Sequence, residues 1–380
     1  MPIPSSSKIF IVVIISLWLF IPAINMSARF LLPPSFYAYR EWEFMTATDG
    51  QGPFKPSTVF HAKIYGDLAN MLHIREFRRY RQQAFTTDSA GFRNPEFAPG
   101  TYFPIMVVGD SDMAGSSQSD EETFCRVLGK KLNLPIYNYA PSGILAFLAD
   151  ERFQKNPPKV VIWEAIERTI SARNFKSYEA LPPKAHFTRS KGTSNKATKT
   201  QPRLTDYWAK DLYHEIAWHL CGHHESAISH IDQNSGMLFY QPGVQMLQQD
   251  ADRRGLKEVV AGVSRIRHLL ADRGIALIFV PLPDKENIYQ ELLPEPVRAF
   301  EQPAFLEKLI ATLRDQGINA VDLYGPFRTA SPAFIKSRQD RDSLYFLDDT
   351  HWNGQGVSLA VEETLMRLNT LQLVSDASRP

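Results

Sequence analysis

Cysteine is nearly absent from this 380-residue chain: Cys125 and Cys221 are the only two. That excludes a disulfide scaffold and a four-cysteine zinc site. An excess of charge is also missing, with Lys+Arg at 42 against Asp+Glu at 41. A dedicated nucleic-acid binder relies on clustered positive charge, so this balance argues against one. No Gly-x-Gly-x-x-Gly follows a strand and no Gly-x-x-x-x-Gly-Lys-Ser/Thr occurs, which leaves dinucleotide and P-loop readings without their phosphate cradle. No internal repeat is apparent. What remains is globular composition, 44% hydrophobic and 22% charged, in a chain long enough for one large domain or two ordinary ones.

One stretch departs from that pattern. Ile9 to Met26 reads IFIVVIISLWLFIPAINM and carries no charge. As a helix it would span roughly 27 Å, enough for a bilayer core. Met26-Ser27-Ala28 is a poor cleavage site, so an uncleaved signal anchor over residues 1–28 is favoured over a cleaved signal peptide. The expected location is the inner membrane, with the rest of the chain outside the cytoplasm. Residues 29–99 read as a membrane-proximal linker region. Within them the basic run REFRRYRQQ (75–83) reads as a solvated helix face.

From residue 103 the pattern becomes regular. Apolar runs at 103–108, 135–140, 159–165, 275–281 and 318–324 read as strands. Between them 121–132, 144–153, 256–273, 303–316 and 356–368 read as helices. Alternation of this kind implies parallel pairing. The expected fold is an α/β three-layer sandwich with a flavodoxin-like parallel sheet over 100–375, preceded by an N-terminal transmembrane helix. It is interrupted at 184–203 by a stretch with six Lys or Arg and no acid, read as a basic flexible insertion.

Two short blocks carry the chemistry. Gly109-Asp110-Ser111 directly follows the first strand of the sheet, where open parallel sheets place their ligands. Asp348-Asp349-Thr350-His351-Trp352-Asn353 precedes the last helix. A serine is a weak nucleophile until a base takes its proton, and the usual base is a histidine held by a carboxylate. Ser111, His351 and either Asp349 or Asp348 therefore make a candidate triad. The histidine-rich stretch from His214 to His230, which includes Cys221, has ligand-type residues but no common metal spacing, and reads as an ordinary helix and turn.

The Gly-Asp-Ser and Asp-x-x-His blocks resemble the SGNH (GDSL-like) hydrolase superfamily. Asn138-Tyr139-Ala140-Pro141-Ser142-Gly143 is similar to its second block. Asp349-Thr350-His351-Trp352 and Trp163-Glu164-x-x-Glu167-Arg168 resemble the AlgJ/AlgX-type polysaccharide O-acetyltransferase branch. In that branch the Asp-His pair precedes the serine, whereas here it follows. The third block, normally Gly-x-Asn-Asp, has Glu164 at the strand end. A carboxylate there would repel an oxyanion, so Glu164 and Arg168 are expected to pair at helical spacing and hold the site's shape.

The resemblance implies a membrane-anchored, exported O-acetyltransferase acting on a polysaccharide or other envelope glycan through an acyl-enzyme. An exported carbohydrate or lipid esterase is the alternative, and a non-catalytic adaptor of an exopolysaccharide assembly is a third reading. The longer match favours Asp349 as the residue that orients His351, with the other aspartate capping the following turn. Gly143, Asn138 and Asp110 are the expected oxyanion or substrate residues, with the N–H groups of Ser111 and Gly143 as donors. Arg93 and Asn94 are candidates for a further donor. No metal or organic cofactor is called for. The implied partners are a polysaccharide acceptor and a multi-spanning membrane O-acyltransferase that supplies the acyl group.

Overall fold

The computed structural model describes residues 5–31, 52–182, 204–249, 254–295 and 305–370. The 184–203 insertion lies outside them. Five strands form one parallel sheet: β3 (Ile105–Val108), β4 (Ile136–Asn138), β5 (Val160–Ile166), β8 (Ala276–Leu282) and β9 (Asn319–Ala320). The order is β4-β3-β5-β8-β9, as expected for a flavodoxin-like sheet, with every neighbouring pair parallel. β3 and β5 are buried at every position. That pattern requires cover on both faces, which explains why their sequences are continuous apolar runs rather than alternating ones.

Helices supply the cover. α3 (Phe124–Leu132) packs on the closing helix α12 (Gly354–Thr370), and α5 (Ala172–Glu179) packs on α8 (Leu256–Ala271), which also meets α10 (Phe305–Asp315). Two short helices, α7 (Gln241–Leu247) and α9 (Lys285–Ile288), lie on either side of α8 in the chain. Val259, Val263, Ile266 and Leu270 are buried at three- and four-residue spacing along α8, the periodicity of one helix face. The last expected strand, 318–324, shortens to Asn319–Ala320, because α11 (Tyr324–Ser337) begins at its other end. The helix expected over 144–153 stops as α4 at Leu148 and gives way to a 3-10 turn at Glu151–Phe153, where the Asp150 carboxylate accepts the Arg152 N–H.

Two small antiparallel pairs flank the main sheet. β6 (Ile228–Asp232) pairs with β7 (Met237–Tyr240), and β1 (Val59–Ile64) pairs with β2 (Arg81–Thr86). The second pair corrects the linker expectation for 52–99. These residues fold: Leu68, Ala69, Leu72 and Ile74 around α2 (Asp67–Leu72) are fully buried and share a core with Ile228, Ile231 and Leu238 of the β6–β7 pair. REFRRYRQQ is likewise not a helix face. It runs through a 3-10 turn at Arg75–Phe77 into β2, with Phe77 buried.

The N-terminal segment forms α1 (Ser5–Leu31), with Ile9, Phe10, Val12, Leu19 and Phe20 exposed. It packs beside α6 (Leu204–Cys221). Counted over the described residues, no helix is long and apolar enough to cross a membrane.

Candidate active site

β3 ends at Val108, and the chain turns over Gly109 to present Ser111, which is partly exposed. A Cβ at 109 would crowd the Glu164 carboxylate and the Met113 side chain, so the site would have to shift to admit a larger residue there. No long helix follows at once. Residues 111–118 form a chain of turns, with Ala114 N–H donating to Asp110 O, Gly115 N–H to Asp112 O and Ser116 N–H to Ser111 O, and α3 begins only at Phe124. The Asp110 carboxylate accepts the Asp112 N–H at 2.9 Å, which ties it into the turn, and the residue is partly exposed.

Buried Arg93 holds this turn from below. Its guanidinium donates to the carbonyls of Ala114, Gly115, Gln118 and Ala84, and pairs with Asp120 at 3.0 Å. Asn94 donates to Asp88 and to Asn138 O. Both are therefore structural ties rather than oxyanion donors. The same correction applies to Asn138. Its side-chain amide donates to Met113 O, and its side-chain oxygen accepts the Ala140 N–H. Only 1% of the residue is exposed, so it has no free group for a ligand. Gly143 caps α4 in extended conformation, with open space where a Cβ would be. Among the described residues neither the Ser111 nor the Gly143 N–H has a protein acceptor.

Facing Ser111 is the loop that enters α12. His351 Nε2 lies 2.8 Å from Ser111 Oγ, and His351 Nδ1 lies 2.5 Å from Asp349 Oδ1. The ring is 2% exposed and the Asp349 side chain is fully buried. Burial opposes protonation of the ring. The carboxylates of Asp112 and Asp349, the Asp349 hydrogen bond and the charge of Asp67 outweigh it and hold His351 above the ordinary imidazole value. Trp352 locks the loop to the nucleophile turn. It is fully buried, stacks on Phe124, donates Nε1–H to Asp112 O and accepts Gln118 Nε2–H on its carbonyl.

Of the two candidate aspartates, only Asp349 meets the imidazole. Asp348 does not cap the next turn. It accepts the N–H groups of Gly66 (2.7 Å) and Arg79 (2.9 Å) and pairs with Arg81 at 2.8 Å. A Cβ at position 66 would collide with the Asp348 carbonyl, so the chain can approach this loop only as glycine.

Four residues outside the two sequence blocks complete the arrangement. Asp67 accepts the Thr350 N–H (2.8 Å) and hydroxyl (2.7 Å), and its carboxylate lies 4.0 Å from His351 Nδ1. Arg81 bridges Asp348 and Asp349, the latter at 3.1 Å. Lys285, fully buried just beyond β8, donates Nζ–H to Asp349 O at 2.6 Å. Burial pulls its ammonium below the ordinary lysine value, against the nearby Glu286, Asp67, Asp349 and Asp348. Ser117 also donates its hydroxyl to Asp349. No motif marked these residues, because each acts through a contact more than 60 positions away in the chain.

The expected Glu164–Arg168 pairing is also corrected. Glu164 is on strand β5, where helical spacing does not apply, and its Oε2 accepts the Asp110 N–H at 3.0 Å. Arg168 instead pairs with Asp284 at 2.5 Å. Ligand oxygens of Asp110, Asp112 and Glu164 lie within 4.8 Å of one another. Burial, reinforced by mutual repulsion, raises Glu164 well above the ordinary carboxyl value, and burial pushes Asp112 up to about 7. The other group of possible metal ligands, Asp67, Asp349 and His351, is the hydrogen-bonded centre already described. In the histidine-rich stretch His214 pairs with Glu225 and His219 with Glu215. Cys125 is buried and Cys221 exposed, both as free thiols.

Among solved structures, the crystal structure of TesA is similar over 70% of this chain and 98% of its own, at 12% identity and a TM-score of 0.31. The salicylyl-acyltransferase SsfX3, from a tetracycline biosynthetic pathway, is similar over 84% of this chain and 77% of its own, at 12% identity and a TM-score of 0.33. No curated protein sequence matches the chain. The family described as "SGNH hydrolase-like domain, acetyltransferase AlgX" matches residues 41–167 and 235–378, on either side of the basic insertion, and the chain belongs to that family.

Proposed function

We propose that this protein is an O-acetyltransferase that acetylates a polysaccharide or other cell-envelope glycan through an acyl-serine intermediate. The observation that carries the reading is the unbroken line from Ser111 Oγ through the His351 ring to Asp349. In the proposed reaction His351 Nε2 takes the Ser111 proton as Oγ attacks the acetyl carbonyl carbon. The carbonyl oxygen becomes an oxyanion held by the N–H groups of Ser111 and Gly143. Collapse expels the donor's leaving group, which receives the proton from His351. A glycan hydroxyl then gives its proton to His351 and attacks the acyl-serine, and Ser111 is regenerated. Asp349 keeps the imidazole in the tautomer that accepts at Nε2. All of this is proton and acyl transfer, for which the chain's own residues suffice.

The proposed location is the inner membrane with the catalytic region outside the cytoplasm. The support is the uncharged run from Ile9 to Met26 and the exposed apolar side chains of α1. A multi-spanning O-acyltransferase is the proposed acyl donor, on the family resemblance alone. Hydrolysis by the same residues is the second reading, favoured by the partial exposure of Ser111, which lets water reach an acyl-enzyme. The test uses an activated acetyl ester with a panel of glycans, comparing the full chain with Ser111→Ala. Ser111-dependent acetylation of a glycan supports the transferase. Ser111-dependent acetate release that no glycan diverts establishes the esterase instead. Equal behaviour of wild type and Ser111→Ala in both channels overturns the triad and favours an adaptor.

A further inference from the structure

α6 is built inside out. Its protein-facing side is mostly polar: Asp211 binds His73 at 3.0 Å and Arg78 at 2.7 Å, His214 pairs with Glu225, and Glu215 accepts the Arg75 N–H at 2.6 Å. Trp218 packs edge-on against Phe77 and donates to Glu76. The outward side is apolar. Trp208, Leu212, Ile216 and Leu220 follow one another at four-residue spacing and are 49%, 63%, 51% and 81% exposed, with Tyr213 alongside at 61%. Residues four apart share a helix face, so these side chains form one stripe about four turns long. A helix in water turns that face inward. Contiguous apolar surface left outside marks a binding face.

We infer that the outward stripe of α6 seats in the interfacial layer of an anionic phospholipid bilayer. Three observations favour lipid over a protein groove. α6 packs beside α1, which also carries exposed apolar side chains. The stripe carries Trp208 and Tyr213, the residue types that settle at the boundary between headgroups and acyl chains. Finally, the sequence running into α6, residues 184–203, holds six basic residues and no acid, which complements anionic headgroups. The consequence reaches the active site. The polar face of α6 grips Arg75, Glu76 and Arg78, and the same segment continues into Arg79 and Arg81, which bind Asp348 and Asp349. Seating α6 on the bilayer would therefore fix the orientation of the catalytic loop relative to the membrane.

The inference rests on the proposed membrane location but not on the chemistry of Ser111, and its test reads no activity. The full chain carrying Trp18→Phe, with and without Trp208→Phe, is reconstituted into vesicles of phosphatidylcholine and phosphatidylglycerol with brominated acyl chains. Bromine quenches only tryptophan within the bilayer. The expected result is a lipid-quenched fraction of emission that disappears with Trp208→Phe, together with shielding of Trp208 from aqueous iodide. Equal quenching of the two proteins by brominated lipid overturns the inference. So does iodide quenching of Trp208 that is the same in vesicles as in detergent-free buffer. Leu212→Ser/Ile216→Ser/Leu220→Ser provides a second arm, expected to return Trp208 to iodide without changing the far-UV spectrum. Unchanged lipid quenching in that variant also counts against it.

Discussion

At the residue scale the centre is governed by how many carboxylates surround one imidazole. Asp349 touches the ring, Asp67 stands 4.0 Å behind it, and Asp112 adds its field from the nucleophile turn. Because the ring must be neutral to accept a proton, activity is expected to rise with pH through a midpoint above the ordinary imidazole value of about 6.5. Asp349→Asn removes one raising influence and the tautomer control together. The midpoint of the kcat/KM profile should move to lower pH, and kcat should fall by about four orders of magnitude, as when the aspartate of a Ser-His-Asp triad becomes asparagine. A pH–rate profile of both proteins checks this, and an unmoved midpoint would show that Asp349 does not set the ring's charge.

Asp112 gives a second residue-scale prediction, with the opposite sign for stability. Its carboxyl ionises near 4 when unfolded and at about 7 in the fold, chiefly through burial. Between those values the native state holds a proton the unfolded chain has lost, so stability falls as pH rises from about 4 to about 7. Asp112→Asn keeps the shape and removes the titration. Denaturant midpoints across that interval should decline less steeply in the variant than in the wild type.

At the element scale, the sheet was legible because parallel strands buried on both faces leave uninterrupted apolar runs such as Val160–Ile162, which few other structures produce. Ser111 and His351 were legible because a strand end and a helix entry sit at one edge of such a sheet. The segment from Gly66 to Arg81 was not. Its arginines read as a solvated face because a sequence shows charge but not the partner that neutralises it. Asp348 and Asp349, the partners, lie more than 250 positions away. For the same reason Glu164 was paired with its neighbour Arg168, although a strand sends it to Asp110 and Asp284 takes the arginine.

That missed segment supports the next prediction. Arg81 is 16% exposed and neutralises two adjacent carboxylates whose side chains are fully buried. Removing one partner of a buried ion pair typically costs about 3–5 kcal/mol, because the other charge is left uncompensated. Arg81→Met retains most of the aliphatic stem that carries the guanidinium over Phe346. Chemical denaturation should show a loss in that range. Burial already raises Asp348 against the pull of Arg81, so the variant should be less destabilised at mildly acidic pH, where Asp348 can take up a proton. A loss that does not shrink on acidification would mean the arginine acts by packing alone.

On the scale of the whole molecule, the catalytic loop is held between two layers of chain that are distant in sequence. The sheet domain contributes Ser111, the Trp352 anchor and the Lys285 bond to Asp349 O. Residues 52–86 contribute the opposite wall: Asp67 on Thr350, the N–H groups of Gly66 and Asp67 on Asp348 and Asp349, and Arg81 across both. Hydrophobic burial does not separate the layers cleanly either, since α2 shares its core with the β6–β7 pair inside the later part of the chain. A chain beginning at residue 100 would keep every residue of the two sequence blocks. It would nonetheless leave two adjacent buried carboxylates without their cation and without three N–H donors. Such a chain is expected to lose Ser111-dependent turnover of an activated acetyl ester, whereas one beginning at residue 52 retains it. Adding back residues 52–99 as a separate polypeptide should restore part of the rate if the wall acts by completing the loop. Full activity of the chain from residue 100 would show that the loop holds its catalytic geometry through Trp352 and Lys285 alone.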